Sequence, residues 1–362
     1  MAKATTIVPD QGGNIGMNNG ESDAAWSVET VAGTGEAGYS GDGSSALRAR
    51  LNNPFDLAIA PDGSVVFSDT FNHCVRRIDA ASGVISTICG TGIRGFSGDG
   101  GSAVQAELNE PYGVVVDRLG RVFFADRLNR RVRVIDAAGV LSTLAGNGSG
   151  VYGGDGGAAA EAGLVEPNGL ALSPDQSRLF IADVAGHRVR VVDLEAGTIA
   201  TFAGTGEARH DGDGGPAVDA GVFGARAVAF APDGSLYVME RQGSCIRRIR
   251  DGVIETVAGT GARGCAGDGG DARAAVFDAP KEMAVDPDGN IFVVDTENHA
   301  IRRIDARSWI VTTVASGLAR PHGAVVAPDG SVLVGDSEHH QIRRLRPPVP
   351  GRAIPDRAPV TR

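Results

Sequence analysis

Six positions along this 362-residue chain hold side chains that together could bind and transform a small molecule. Each follows the Pro or Ala that opens an apolar run: Phe55, Tyr112, Asn168, Arg226, Lys281 and His322. The next residues are Asp56, Gly113, Gly169, Ala227, Glu282 and Gly323, so two carboxylates interrupt an otherwise small series. Arg226 offers a planar fork to a carboxylate or phosphate. Lys281 adds a point charge, or acts as base or nucleophile where burial lowers its pKa. His322, with Glu282 or Asp56 beside it, suits general acid/base work, and Tyr112 can donate to a developing oxyanion. Catalysis is therefore assigned to His322, Lys281, Glu282 and Tyr112. Substrate binding is assigned to Arg226, Asn168, Asp56, Phe55 and, from another column of the sequence, Glu240. A plainer alternative has Lys281-Glu282 and Asp56-Arg226 neutralising a polar rim while Phe55 and Tyr112 plug a hole.

Those positions are set by a repeat. Six times an apolar run meets a Pro-Asp-Gly-type turn, then a second run ending in Asp or Glu, then an Arg-rich run. The copies begin at Asp56, Gly113, Gly169, Ala227, Glu282 and Gly323. In the first, Leu57-Ala60, Val65-Asp69, Cys74-Asp79 and Val84-Cys89 read as four short antiparallel strands joined by hairpin turns. The innermost strands (LAIA, VVVD, LALS, VAFA, MAVD, AVVA) are apolar at successive positions, as strands covered on both faces require. This is the pattern of a propeller blade, so an all-β, six-bladed β-propeller over 27–346 is expected. The sixth copy supplies only three strands, and the unpaired VETVAG near Val28 matches the fourth strand of the others. The N-terminal strand should close the C-terminal blade and hide two edges. The 1–26 segment and the Pro-rich 347–362 tail are expected to be mobile.

From Pro54 the openings recur after 57, 56, 58, 55 and finally 41 residues. Five connections therefore carry extra chain, each with a GDG signature around Asp42, Asp99, Asp155, Asp213 and Asp268. An Asp capping a short helix or holding a tight turn is expected at each. The five loops are expected to form a collar on the site face, leaving an entrance beside His322 where the sixth is missing.

A formal charge of -10 disfavours non-specific nucleic-acid binding. No run suits a membrane helix, and the N-terminus lacks the apolar core of a signal peptide, so a cytoplasmic monomer without membrane contact is expected. Cys74 and Cys89 would face each other across one hairpin, where a cross-strand disulfide is the alternative to the expected reduced packing thiols of a reducing compartment; no CxxC pair suggests zinc.

The phrases SDTFNHCVRRID, ADRLNRRVRVID and VDTENHAIRRID resemble the NHL repeat, whose members form six-bladed propellers. The resemblance implies that fold, and allows lyases, RNA-binding modules and protein-interaction platforms alike. Arg320-Pro321-His322-Gly323 is similar to a metal-ligand motif of the peptidyl-hydroxyglycine amidating lyase propeller, which holds a metal with histidines. The equivalent slots here hold no second histidine, so no cofactor is expected; a channel metal would have to come through His322. Strictosidine synthase and the gluconolactonase-like hydrolases share the six-bladed shape.

Other features repeat and are read as structural. His73, His187 and His299 are expected to make turn hydrogen bonds, and Asp69, Asp126, Asp183, Asp295 and Asp336 to hold turns. Glu240 departs from that Asp column and is placed on the site face. His339-His340, adjacent on an extended segment, point apart. The Arg pairs of the third strands are expected on blade surfaces, individually worth little. The resulting expectation is a cofactor-independent enzyme of lyase, hydrolase or isomerase type acting on a small, anionic substrate at the channel mouth. The alternative is a scaffold offering its loop face to a protein; RNA binding ranks below both.

Overall fold

The computed structural model describes residues 25–348, and Trp26–Pro347 forms one compact unit. The expected mobile ends lie outside the described residues, except that Trp26 packs edge-on against Phe292. Six four-stranded antiparallel sheets follow one another along the chain. The first blade comprises Pro54–Ile59, Val65–Asp69, Cys74–Ile78 and Ile85–Cys89. Its hairpin turn at Pro61-Asp62-Gly63 closes because Gly63 takes φ 83°, a conformation that strains residues with a Cβ. Ser27–Ala32 pairs antiparallel with Gln341–Arg346, Ser27 opposite Arg346, so the first strand completes the last blade as the repeat predicts.

The core lies between blades rather than at one centre. Leu57, Val65 and Phe67 of the first blade, for example, pack with Ala32, Leu333 and Ile342 of the closing blade. Polar links repeat at the same interfaces. The signature histidines sit in left-handed backbone and use Nδ1 to accept an N–H from the next blade: His73 from Glu110, His187 from Gly224, His299 from Arg320 and His340 from Asn53. These bonds join blades instead of closing a turn. The Asp column does hold its turn: Asp69 accepts from Asn52 N and Asn72 Nδ2.

Three expectations are corrected. The long connections do not form a collar; each runs down the blade edge to the far hairpin, as Gly43 N to Ile85 O and Ala46 N to Gly83 O show. They are straps. Second, one Arg of the third strand is buried rather than on the surface in each of the first five blades. Arg76, Arg133, Arg190, Arg247 and Arg302 are at most 1% exposed. Arg76 reaches Asp42 at 2.6 Å, Asp69 at 3.4 Å and the strap carbonyls of Ser40 and Arg50. The GDG aspartates are thus anchors for these arginines, and Asp42 also accepts from Thr87 N instead of capping a helix. Third, a bulge puts Cys89 opposite Val75, not Cys74, and all four cysteines are free.

Candidate functional site

Four of the six inner strands begin with an irregularity. Register shifts between Pro54 and Leu57, Pro111 and Val114, Pro167 and Leu170, and Ala225 and Ala227. Such bulges re-aim side chains, and here the re-aimed residues are the non-repeating ones. Gly113, Gly169 and Gly323 are required because the strands crowd together at the axis. A Cβ on Gly113 would lie 2.1 Å from Asn168 O, and one on Gly323 would lie 2.2 Å from Phe55 O.

The six first-ring residues meet as one buried plug, each no more than 7% exposed. Phe55 stacks on His322 with ring centroids 3.9 Å apart and contacts Tyr112 at 4.9 Å. Arg226 donates to Asn168 Oδ1 at 2.6 Å, and its guanidinium lies over the Tyr112 ring at 4.2 Å. Lys281 Nζ is 2.9 Å from His322 Nε2. His322 Nδ1 is 2.8 Å from Arg320 O, which fixes the proton on Nδ1 and leaves Nε2 to accept from the lysine. The expected entrance beside His322 is not there: His322 is buried and Arg320 bridges Glu297 and Glu338.

Asp56 and Glu282 occupy the next level. Asp56 accepts from Leu57 N and Val114 N; Glu282 accepts from Met283 N. They form the inner end of a well of about 410 Å³ whose walls include Ile59, Val116, Leu172 and Val326. This well opens toward the hairpin turns, the face opposite the strand starts. Burial raises the Asp56 carboxyl to about 7 and, with repulsion from Asp56, pushes Glu282 well above its ordinary value. At neutral pH the pair therefore carries about one charge at most.

On the strand-start side the balance reverses. Burial, then repulsion from Arg226 and Arg320, lowers the Lys281 ammonium to about 7, against a partial pull from Glu297 at 3.6 Å. Burial and the Lys281 charge hold His322 well below its usual range, hence neutral. Arg241, half-buried, is lowered by burial and by Arg226. Among the described residues neither Arg226 nor Arg241 has a carboxylate within ion-pair distance. The Tyr112 hydroxyl, Arg226 Nε, Arg241 Nε and Gln242 Oε1 are buried without hydrogen-bond partners in the protein.

Sequence reasoning brings together all the candidates except one. Glu240 ends its strand in the Asp column and binds Arg247 and His210, away from the axial plug. It is there because the column faces the strap, not the channel. Arg241, Gln242 and Glu297 were missed. Their signal was present: the positions just after the Asp column also vary from copy to copy (Thr70-Phe71, Arg127-Leu128, Val184-Ala185, Arg241-Gln242).

Comparisons with known proteins bear on the fold and on the repeats. The NHL repeat model matches residues 277–304 and 318–345, and a teneurin NHL domain model matches residues 94–153. The protein SUPPRESSOR OF QUENCHING 1, chloroplastic, of Arabidopsis thaliana is 28% identical over 81% of this chain. Human teneurin-4 is 31% identical over 68% of it. The chain spans only 29% of the former and 10% of the latter. A gluconolactonase from Xanthomonas campestris superposes with a TM-score of 0.57 at 16% identity, over 82% of this chain and 86% of its own. A streptogramin B lyase does so with 0.53 at 16% identity, over 89% and 97%. At those identities the structural likeness establishes the fold alone.

Proposed function

We propose that this chain, a six-bladed β-propeller of the NHL-repeat family, is a cofactor-independent enzyme acting on a small organic anion at the strand-start end of its axis. One observation carries the reading. Arg226 and Arg241 are cations brought together under burial with no carboxylate in ion-pair distance among the described residues, beside Lys281, which has Glu297 at 3.6 Å, and the Nε atoms of both arginines are unpartnered. Burying a guanidinium in that state is costly unless an anion completes it. A substrate carboxylate or phosphate would supply the missing charge and acceptors.

The rest of the plug fits proton transfer. Lys281, poised near neutrality, serves as the base, its amine directed by the lone pair of His322 Nε2. The unpartnered Tyr112 hydroxyl is free to donate to an oxyanion formed on the substrate. Asp56 and Glu282 lie behind the cations and hold a proton between them, which keeps Arg226 from being neutralised internally. Such an arrangement suits lyase, isomerase or lactone-opening hydrolase chemistry. The gluconolactonase and streptogramin B lyase neighbours show that such chemistries occur on this fold.

The test uses gluconate, citrate and inorganic phosphate as binding probes in calorimetry, and glucono-lactone as a turnover probe. At least one anion should bind, more tightly as pH falls through about 7 because Lys281 then gains its charge. Arg226→Met should weaken binding by at least about 100-fold, the value of a lost charge-assisted pair. Failure of all three anions to bind the wild type removes this reading. The second reading, a scaffold, is favoured by one fact: the relatives carry the matching region as a small part of much longer chains. Under that reading Arg226→Met leaves every function of the protein unchanged.

A further inference from the structure

The six blades act as internal controls for one another, and one blade breaks the pattern in a concerted way. The strap position stacked beside the buried arginine is Tyr39, Phe96 and Tyr152 in three straps, with guanidinium-to-ring distances of 4.9 to 5.0 Å. In the fourth strap it is His210 and in the fifth Cys265. The second-strand column is Asp in five blades and Glu240 in the fourth. The position occupied by Asn72, Asn129 and Asn298 in three blades, whose amides fill the space between column and strap, is Gly243 here, as it is Gly186 in the third blade. Cys245 begins the adjacent strand, 1% exposed. Cys74 holds the equivalent place in the first blade, but opposite Tyr39, which cannot ligate with an imidazole.

These departures converge on one point. His210 Nδ1 lies 2.8 Å from Glu240 Oε2 and 3.6 Å from Cys245 Sγ, and the three donor atoms all fall within 4.8 Å of one another. A relay between cysteine, histidine and carboxylate is excluded by geometry, because the same ring nitrogen faces both partners; a triad needs one nitrogen for each. A shared Nδ1 instead suits a common ligand at the centre. For tetrahedral zinc, bond lengths of about 2.0 Å to nitrogen and 2.3 Å to sulfur require an N to S edge of about 3.6 Å. The N to O edge must open by about half an ångström to reach its tetrahedral value.

We propose that His210, Glu240 and Cys245 bind a zinc-class divalent cation that fastens the fourth strap to its blade. The surroundings supply the outer contacts such a site needs. His210 Nε2 is 3.2 Å from Thr256 Oγ1, so its N–H is held there when Nδ1 ligates. Glu240 keeps Oε1 on Arg247 at 2.8 Å while Oε2 faces the cation, a monodentate arrangement. Arg247 is 3.4 Å from His210 Nδ1, and the two ligand charges of thiolate and carboxylate offset it. Binding releases the Cys245 thiol proton to solvent, so affinity falls with falling pH. The imidazole is about a third exposed, which leaves the fourth coordination position to water. In this blade the cation takes the place of the aromatic ring that stacks on the buried arginine in the first three straps.

Cobalt(II) added to the full-length protein should give a thiolate-to-metal absorption band, and zinc should displace it and raise the Tm. His210→Tyr, which restores the residue of two other straps and so preserves folding, should abolish both effects. Cys245→Ser should remove the band; Cys265→Ser, at the exposed cysteine, and Cys74→Ser should leave it intact. Thr256→Val should weaken affinity by about 10-fold, the cost of a lost outer contact. Absence of the band in the wild type overturns the proposal. So does a band that survives His210→Tyr or disappears with Cys265→Ser.

Discussion

At the scale of single residues, the axis is governed by burial acting on unmatched charge. Lys281 has a folded pKa near 7 against 10.5 when exposed, so between those values the unfolded chain binds the proton that the folded chain lacks. Stability attributable to this group therefore rises with pH across that window, by a few kcal/mol in all, and its penalty is complete below it. Lys281→Met should remove that alkaline rise, measured as the slope of unfolding free energy between pH 7 and 10.5. A slope equal to that of the wild type would mean that the amine is solvated. The types and positions of these residues were legible because they violate the repeat. Their pairing was not. That Lys281 meets His322 across 41 residues, or Arg226 meets Asn168 across 58, depends on which neighbouring blades bring their strand starts into contact. The same limit misplaced Glu240: its column is visible in the sequence, but the face that column serves is not.

At the scale of elements, the strap and its buried arginine form the unit of construction. Each such arginine pairs with the GDG Asp of its strap, and Arg76, Arg133, Arg247 and Arg302 also reach the buried acid of their own blade, as Arg133 does with Asp126 and Asp99. Removing one partner leaves a buried carboxylate uncompensated, so Arg133→Met should cost about 3–5 kcal/mol in denaturant unfolding. Arg343→Met should cost distinctly less. Arg343 is 25% exposed, binds Asp336 and Thr30, and secures no strap, because its blade has the short connection. Equal costs would show that the strap contributes nothing. In the sequence an alternating Arg looks like a surface residue. Only the return of the connection along the blade edge buries it, and period-two patterning carries no information about what a loop will cover.

At the scale of the whole molecule, closure of the ring is the decisive step. Ser27–Ala32 covers the edge of Gln341–Arg346, and Glu29 pairs with Arg346 at 2.9 Å. Deleting residues 1–32 should expose that edge and give a species that self-associates in light scattering and no longer unfolds in one transition. A monomer with an unchanged unfolding midpoint would show that the closing strand is dispensable. No helix among the described residues is long and apolar enough to cross a membrane.

The sequence alone determined the architecture, because a periodic pattern of apolar runs and turns admits few folds. It also marked the axial residues, since symmetry makes every exception visible. Tertiary structure decided what those exceptions do. It showed that the plug closes the strand-start end and that the open well lies beyond Asp56 and Glu282. It showed that Arg226 and Arg241 have no carboxylate in ion-pair distance among the described residues and leave Nε unpartnered, and that His210 and Glu240 depart from the repeat toward each other. The reason is physical: burial, dielectric and contact are set by residues tens of positions away, and each repeat is silent about its neighbours until the ring is closed.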